Sequence, residues 1–286
     1  MTTHTSISTS AVLVEVHISV WTANLIDRKV TDELLVGKNA VTGAAQVKKN
    51  LMAGTSERKD IADYAAGCRL WHNQRTMPWA DKGQRLLPTS LYMEYKQELN
   101  QRKENFTDMV TNFLANYDNL VSIAQNYMGD LFNADDYPSA DAIADKFGFQ
   151  YVFSPIPQSG DFRLDIPAQE LEEVKAGYED SFNDRLQDAM KDPWNRLHKL
   201  LAGMSSKLND DGEKKKRFHD SFVDNAVDLC EVLKHMNLTN DPKLEEARRQ
   251  LQSTMQGRHI EVIKEDQHER SELKRDLDNI LGGFDW

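Results

Sequence analysis

Apolar residues recur every three or four positions across the C-terminal part of the chain, and this spacing limits the fold more than any other feature. Leu171, Val174, Tyr178, Phe182, Leu186 and Met190 make one stripe, which Trp194, Leu197, Leu201, Met204 and Leu208 continue. A 3.6-residue period places such side chains on one helix face, which must find another apolar face to cover it. Asp192-Pro193 interrupts the run and reads either as an N-cap with proline at the first helical position or as a kink. Asn209-Asp210-Asp211-Gly212 is a turn, and Lys214–Arg217 opens a helix carrying Phe218, Phe222, Ala226, Leu229, Leu233 and Met236. The short connection predicts an antiparallel helical hairpin. Thr239-Asn240-Asp241-Pro242 starts a further helix with Leu244, Ala247, Leu251 and Met255, then Ile260, Ile263, Leu273, Leu277 and Ile280. Between Ile263 and Leu273 the helix is polar all round, so it either bridges solvent or is held by a partner chain. Residues 167–281 therefore read as a coiled-coil-like, helical-hairpin region.

The N-terminal part is mixed. Residues 1–10 are Thr/Ser-rich and expected to be disordered, with no basic segment of the kind that opens a signal peptide. Val12, Val14, Val16, Ile18 and Val20 alternate with Leu13, Glu15, His17 and Ser19, the period of a strand with one buried face. Helices are expected over Thr22–Val36, over Ala40–Met52 and from a Thr55 or Ser56 cap to Trp71, with Gly37 and Gly54 as stops. A single helix of about ten turns is expected from Leu91 to Tyr127, and a short one from a Ser139 cap to Lys146. Phe149, Tyr151 and Phe153, then Phe162, Leu164 and Ile166, alternate on either side of a Pro/Gly loop and predict a hairpin. A lone hairpin is marginal, so residues 11–20 should pair beside residues 149–166 in a three-stranded sheet. The fold class expected is mainly α with a small β-sheet (α+β). Residues 11–166 would be a helical unit with that sheet, 167–281 long antiparallel helices, and 282–286 a flexible acidic-aromatic tip.

Composition narrows the function classes. A formal net charge of −11 disfavours direct, nonspecific binding to nucleic acid, where phosphates must be neutralised by Lys and Arg. The two cysteines, Cys68 and Cys230, sit in helical patterns and read as buried thiols of a reducing, cytoplasmic compartment. No run is long and apolar enough for a membrane span. Phosphate loops, dinucleotide fingerprints, C-x-x-C and H-E-x-x-H are missing. Gly203-Met204-Ser205 lacks the second glycine of a nucleophile elbow. Glu265 and His268 form one E-x-x-H pair, expected on one helix face, where a di-metal bundle needs two such pairs and two further glutamates. His219-Asp220 stands alone. Lys48, Lys49, Arg58 and Lys59 suit either a solvated face or a contact to phosphate or an acidic partner. No catalytic residue, metal or cofactor is assigned, and an enzyme is not expected.

The stretch Arg69–Tyr95 combines two indoles, two prolines and several cations. Met77-Pro78 cannot continue the preceding helix, Asp81-Lys82-Gly83 reads as a turn, and Thr89 or Ser90 should cap the next helix, with Glu94 near box position. The expectation is a helix–corner–helix. It is either a packed structural corner or, through Trp71, Arg75, Trp79, Arg85 and Tyr92, a partner site, since such residues dominate interface energetics. Trp71-x7-Trp79, followed by D-x-G-x-R-L-L-P (Asp81–Pro88), resembles a bacterial and phage family known only as a domain of unknown function. Gly129-Asp130-Leu131-Phe132, Asp136-Tyr137-Pro138-Ser139, Phe147-Gly148-Phe149, Pro155-Ile156-Pro157 and Gly160-Asp161-Phe162-Arg163 carry the resemblance further. It covers about Val16 to Ile166 and fades beyond.

Members of that family are often encoded beside a MoxR-type AAA+ ATPase and a cobaltochelatase-like von Willebrand factor A protein. The resemblance thus implies a non-enzymatic adaptor or scaffold acting with these partners, and supplies no catalytic residues. A homo-oligomeric phage structural or assembly protein is the alternative. A third reading, an accessory factor in DNA replication or recombination, rests on the C-terminal tip. There Gly282-Gly283 should release the last three residues, and Phe284 and Trp286 then either belong to a frayed terminus or act as docking anchors.

Overall fold

The computed structural model describes residues 4–80, 83–157, 167–208 and 220–286. The chain divides into two units. The first comprises Met1–Glu15, Asn73–Tyr95 and Val152–Trp286, and the second Val16–His72 and Lys96–Tyr151. The molecule is mainly helical with a small antiparallel sheet, as the sequence implies, and the details of that sheet differ from expectation.

The four-stranded sheet runs in the order β4-β5-β1-β6, with β1 at Ala11–Ser19, β4 at Met77–Pro78, β5 at Arg85–Pro88 and β6 at Gly148–Ser154. Strand β1 does neighbour β6. Its other neighbour, β5, comes from the tryptophan corner, so that corner is a β-hairpin and not a bare turn between helices. Met77 pairs with Leu86, Pro78 with Arg85, and Leu87 with Val12. Pro78 lies on the edge strand, where its missing N–H costs no ladder bond. Gly83 takes φ +81, and a Cβ there would lie 3.0 Å from the Glu15 side chain. The other turn residues, Asp81 and Lys82, fall outside the described residues, as does the second hairpin strand expected at Phe162–Ile166. The strict one-face reading of β1 also needs correction. Leu13 and Val14, on opposite faces, are both buried.

In the first unit, α1 (His4–Ser10) replaces the disorder expected there, because Ile7 is part of the core. Helix α7 (Ala168–Leu208) carries the long apolar stripe and continues across Pro193, which lies inside it. Around it lie α8 (Ser221–Met236), α9 (Pro242–Met255), α10 (Ile260–Glu265) and α11 (Gln267–Gly283). The turn and basic run at 209–219 lie outside the described residues. Leu197, Leu201, Leu233, Leu251, Leu273 and Leu277 are fully buried and form the centre of one core. Asp241 caps α9 through the Lys243 and Leu244 amides and also accepts from the Trp194 indole at 3.0 Å. The continuous helix expected from Leu244 to Ile280 breaks at residues 256–259 and again at Asp266, which caps α11.

The second unit is built on α3 (Glu57–Arg75), α4 (Tyr92–Ala115) and α5 (Tyr117–Met128), the first two of which run on into the other unit. The ten-turn helix is thus two helices, parted at Asn116, where Tyr117 turns into a cluster with Trp21 and Phe113. Ser139 caps α6 (Ala140–Ala144) as expected, accepting from the Ala142 amide. The helix expected at Thr22–Val36 is a strand, β2 (Asn24–Ile26), followed by α2 (Arg28–Gly37) capped by Asp27. The helix expected at Ala40–Met52 is turns and a strand, β3 (Lys48–Asn50), paired with β2. An alanine-rich segment favours helix locally, but Val41 is 78 % exposed, so no packing rewards one there.

Candidate functional site

Neither indole of the corner is a surface residue. Trp71, in the second unit, is 6 % exposed and stacks under the Arg102 guanidinium at 4.7 Å. Trp79, in the first unit, is 5 % exposed and meets Phe182 edge-on at 5.3 Å. The packed-corner alternative therefore describes both. Arg85 is half-buried and turns inward, donating to Thr76 Oγ1 at 2.6 Å and to the Thr76 and Asn73 carbonyls. Arg196 donates to the Asn73, Gln74 and Thr76 carbonyls and is balanced by Asp192 at 2.6 Å. Two guanidiniums thus satisfy carbonyls at the C-terminal end of α3, where the helix dipole favours cations. Burial, and then the neighbouring Arg196, push the Arg85 pKa down. Tyr92 packs edge-on against Phe153 at 5.0 Å.

The C-terminal tip is also packed. Both glycines remain in α11. Phe284 lies 6.0 Å from the Trp194 ring, and Trp286 lies 5.4 Å from Trp194 and 5.2 Å from His198. The Trp286 indole donates to the Leu281 carbonyl at 2.8 Å. The two aromatic anchors of the expected free tip are therefore engaged within their own unit.

Other expected groupings dissolve in the same way. Asp266 separates Glu265 from His268, so the E-x-x-H pair does not share a helix face. Ser205 donates to Asp278, which also pairs with Lys274. Lys49 is buried between Asp27 and Asp136, Lys59 pairs with Asp63, and Arg58 donates to the Trp21 carbonyl. Asp220 pairs with Lys264, while His219 and Lys214–Arg217 fall outside the described residues. Among the described residues no three His, Cys, Asp or Glu side chains converge as metal ligands, and no helix is long and apolar enough to cross a membrane. Both cysteines are buried free thiols. Burial raises the pKa of each, that of Cys230 to about 11.

What the first unit does present is an open groove of about 870 Å³, within the size range of ligand sites. Its floor is apolar: Leu91, Leu200, Met204, Phe222, Leu229 and Val232. Helix α7 supplies one lip, where Lys199 and Lys207 are exposed at a spacing of eight on the same face, with Arg75 nearby. Helix α8 supplies the other, where Asp228 and Glu231 are exposed. Gly203 sits between the two lysines, and a Cβ there would meet nothing within 4 Å. His235 of the groove wall meets the Ser90 hydroxyl through Nδ1 at 2.9 Å. Of the expected partner residues only Arg75 lines this groove. The rest of its wall was missed because each segment, read alone, is a solvated charged face. The one local signal was Gly203, a helix-weakening residue in mid-stripe.

Comparison of the chain with protein-family models, with curated proteins and with solved structures returns no match.

Proposed function

We propose that the chain is a non-catalytic scaffold whose first unit receives an amphipathic helix of a partner protein in the α7–α8 groove. The observation that carries this reading is the pairing of an apolar floor with lips of opposite sign. Lys199 to Lys207 spans about 12 Å, or two helical turns. A two-turn helix with apolar anchors toward the floor, an acidic flank toward α7 and a basic flank toward α8 meets both lips with complementary charge. Helix-in-groove recognition works through such anchors, while the charges set direction and speed of encounter. The motif resemblance over residues 16–166 suggests the partner class, a MoxR-type AAA+ ATPase or its von Willebrand factor A companion, and a cytoplasmic setting.

The test is a photo-crosslinking residue at position 203, introduced in native host cells, with mass spectrometry of the captured peptide. The expected peptide is helical, with acidic and basic flanks, and belongs to an ATPase or von Willebrand factor A protein. Its capture should fall at least tenfold with Lys199→Glu/Lys207→Glu, since reversing two facing charges costs on the order of 1–2 kcal/mol or more. Capture that ignores the charge reversal, or no captured protein, contradicts the reading.

A further inference from the structure

The segment Asn24–Asn50 of the second unit is built unlike the rest. Its sheet has two strands of three residues each, below the three strands that hold together in water without help. Its only buried apolar side chain is Leu35; the Lys49 side chain is covered by its pairs with Asp27 and Asp136. Leu25, Ile26, Leu34, Val36 and Val41 are all exposed, at 38, 45, 40, 78 and 78 %.

Its two edges differ. Strand β3 carries the exposed Lys48, and an edge lysine discourages a further strand from adding. Strand β2 has no such guard. Hydrogen bonds from the Asp27 amide to the Val47 carbonyl and from the Leu51 amide to the Ala23 carbonyl fix the ladder's phase. In antiparallel pairing the bonded residues alternate, so residues 23, 25 and 27 face β3. Asn24 and Ile26 then direct their amides and carbonyls away from β3, along the free edge.

Helix α2 adds a charge pattern. Arg28 and Lys29 occupy its first turn, with no acidic residue there, against the helix dipole. Asp32 and Glu33 follow one turn later. An antiparallel copy of the same helix would set Arg28 opposite Glu33 and Lys29 opposite Asp32.

We propose that this arm is a self-association surface, and that a second copy of the chain covers it through antiparallel β2–β2 and α2–α2 pairing about one two-fold axis. Asn24 of each copy meets Ile26 of the other, which closes the free edge and makes a continuous sheet in the order β3-β2-β2-β3. The two Leu25 side chains lie opposite each other on one face. The contact is isologous, as closed dimers require. It goes beyond the groove reading and is independent of it, since no groove residue takes part.

Sedimentation velocity on the full chain tests it. Wild type is expected to be a dimer at tens of micromolar. Ile26→Pro removes only an outward amide and should yield a monomer. Arg28→Glu/Lys29→Glu and Asp32→Lys/Glu33→Lys, each tested alone, should also be monomers with unchanged circular dichroism. Mixed together, the two charge variants should re-form a dimer, because each then meets its complement. A wild-type monomer up to about 100 µM, above the range of a specific dimer, overturns the proposal. So does a dimer indifferent to all these changes, or folded charge variants that stay monomeric when mixed.

Discussion

Between Ala168 and Gly283 the helices spend their apolar residues inward, α7 alone burying Phe182, Leu197, Leu201, Met204 and Leu208. Between Asn24 and Asn50 the chain spends them outward, and Leu35 alone is buried. Both regions hold regular secondary structure, yet their stability has different sources. A helix packed through a continuous stripe is held by its own chain, whereas a short sheet with an apolar exterior must draw on something outside it. Regular secondary structure in this protein is therefore no measure of how firmly a segment is held.

That contrast can be broken at several levels. The largest effect concerns the thiols. Cys230 in the first unit and Cys68 in the second are buried with raised pKa values, so each should react with a thiol reagent at pH 8 about a thousandfold more slowly folded than in urea. Single Cys68→Ser and Cys230→Ser variants separate the two rates; rapid labelling at Cys230 would remove the claim that the helical core is closed.

Next comes truncation. Leu201→Ala, at a fully buried position of α7, should cost about 3 kcal/mol in urea unfolding, and Leu34→Ala in the arm less than about 0.5 kcal/mol when monomeric. Equal costs would erase the distinction.

A smaller effect is electrostatic. Hydrogen bonding from Arg248, and then Arg249, holds the Glu245 pKa down to about 2. Its folded pKa lies below the unfolded value of 4.5, so its contribution is complete above that value and is lost as pH falls toward 2. The pair is partly exposed, so Glu245→Gln should cost about 1 kcal/mol at pH 7. The cost should shrink steadily as pH falls from 4.5 through 2, as acid titration of the melting temperature would show. The smallest effect is Trp286→Ala. Loss of its edge contact with Trp194 should cost about 0.5–1 kcal/mol, and the intrinsic fluorescence of Trp194 should change with it.

Legibility followed the same divide. The α7 stripe, the Asp241-Pro242 start of α9 and the Ser139 cap could be read directly, because period and capping chemistry are local. The break at Asn116 could not, since neither Gly nor Pro marks it and it depends on where Tyr117 finds Trp21. Strands β4 and β5, two and four residues long, are too short to show a period. The residues 40–52 misled because helix propensity spoke there without an apolar face behind it. The indoles Trp71 and Trp79 allow a packed corner or a partner site in the sequence, and in the structure they fill cores. The groove arises from segments distant in sequence, and Gly203 is the one local mark of it in any of them.

Hydrogen exchange of the full chain, followed by mass spectrometry at a concentration well below and well above self-association, tests the contrast most directly. Slow exchange is expected in α7, α9 and α11 at both concentrations. Peptides covering residues 24–50 should exchange fast when dilute and markedly slower when concentrated. Protection of residues 24–50 in the dilute monomer equal to that of α7 would contradict it, because the arm would then be held by its own chain.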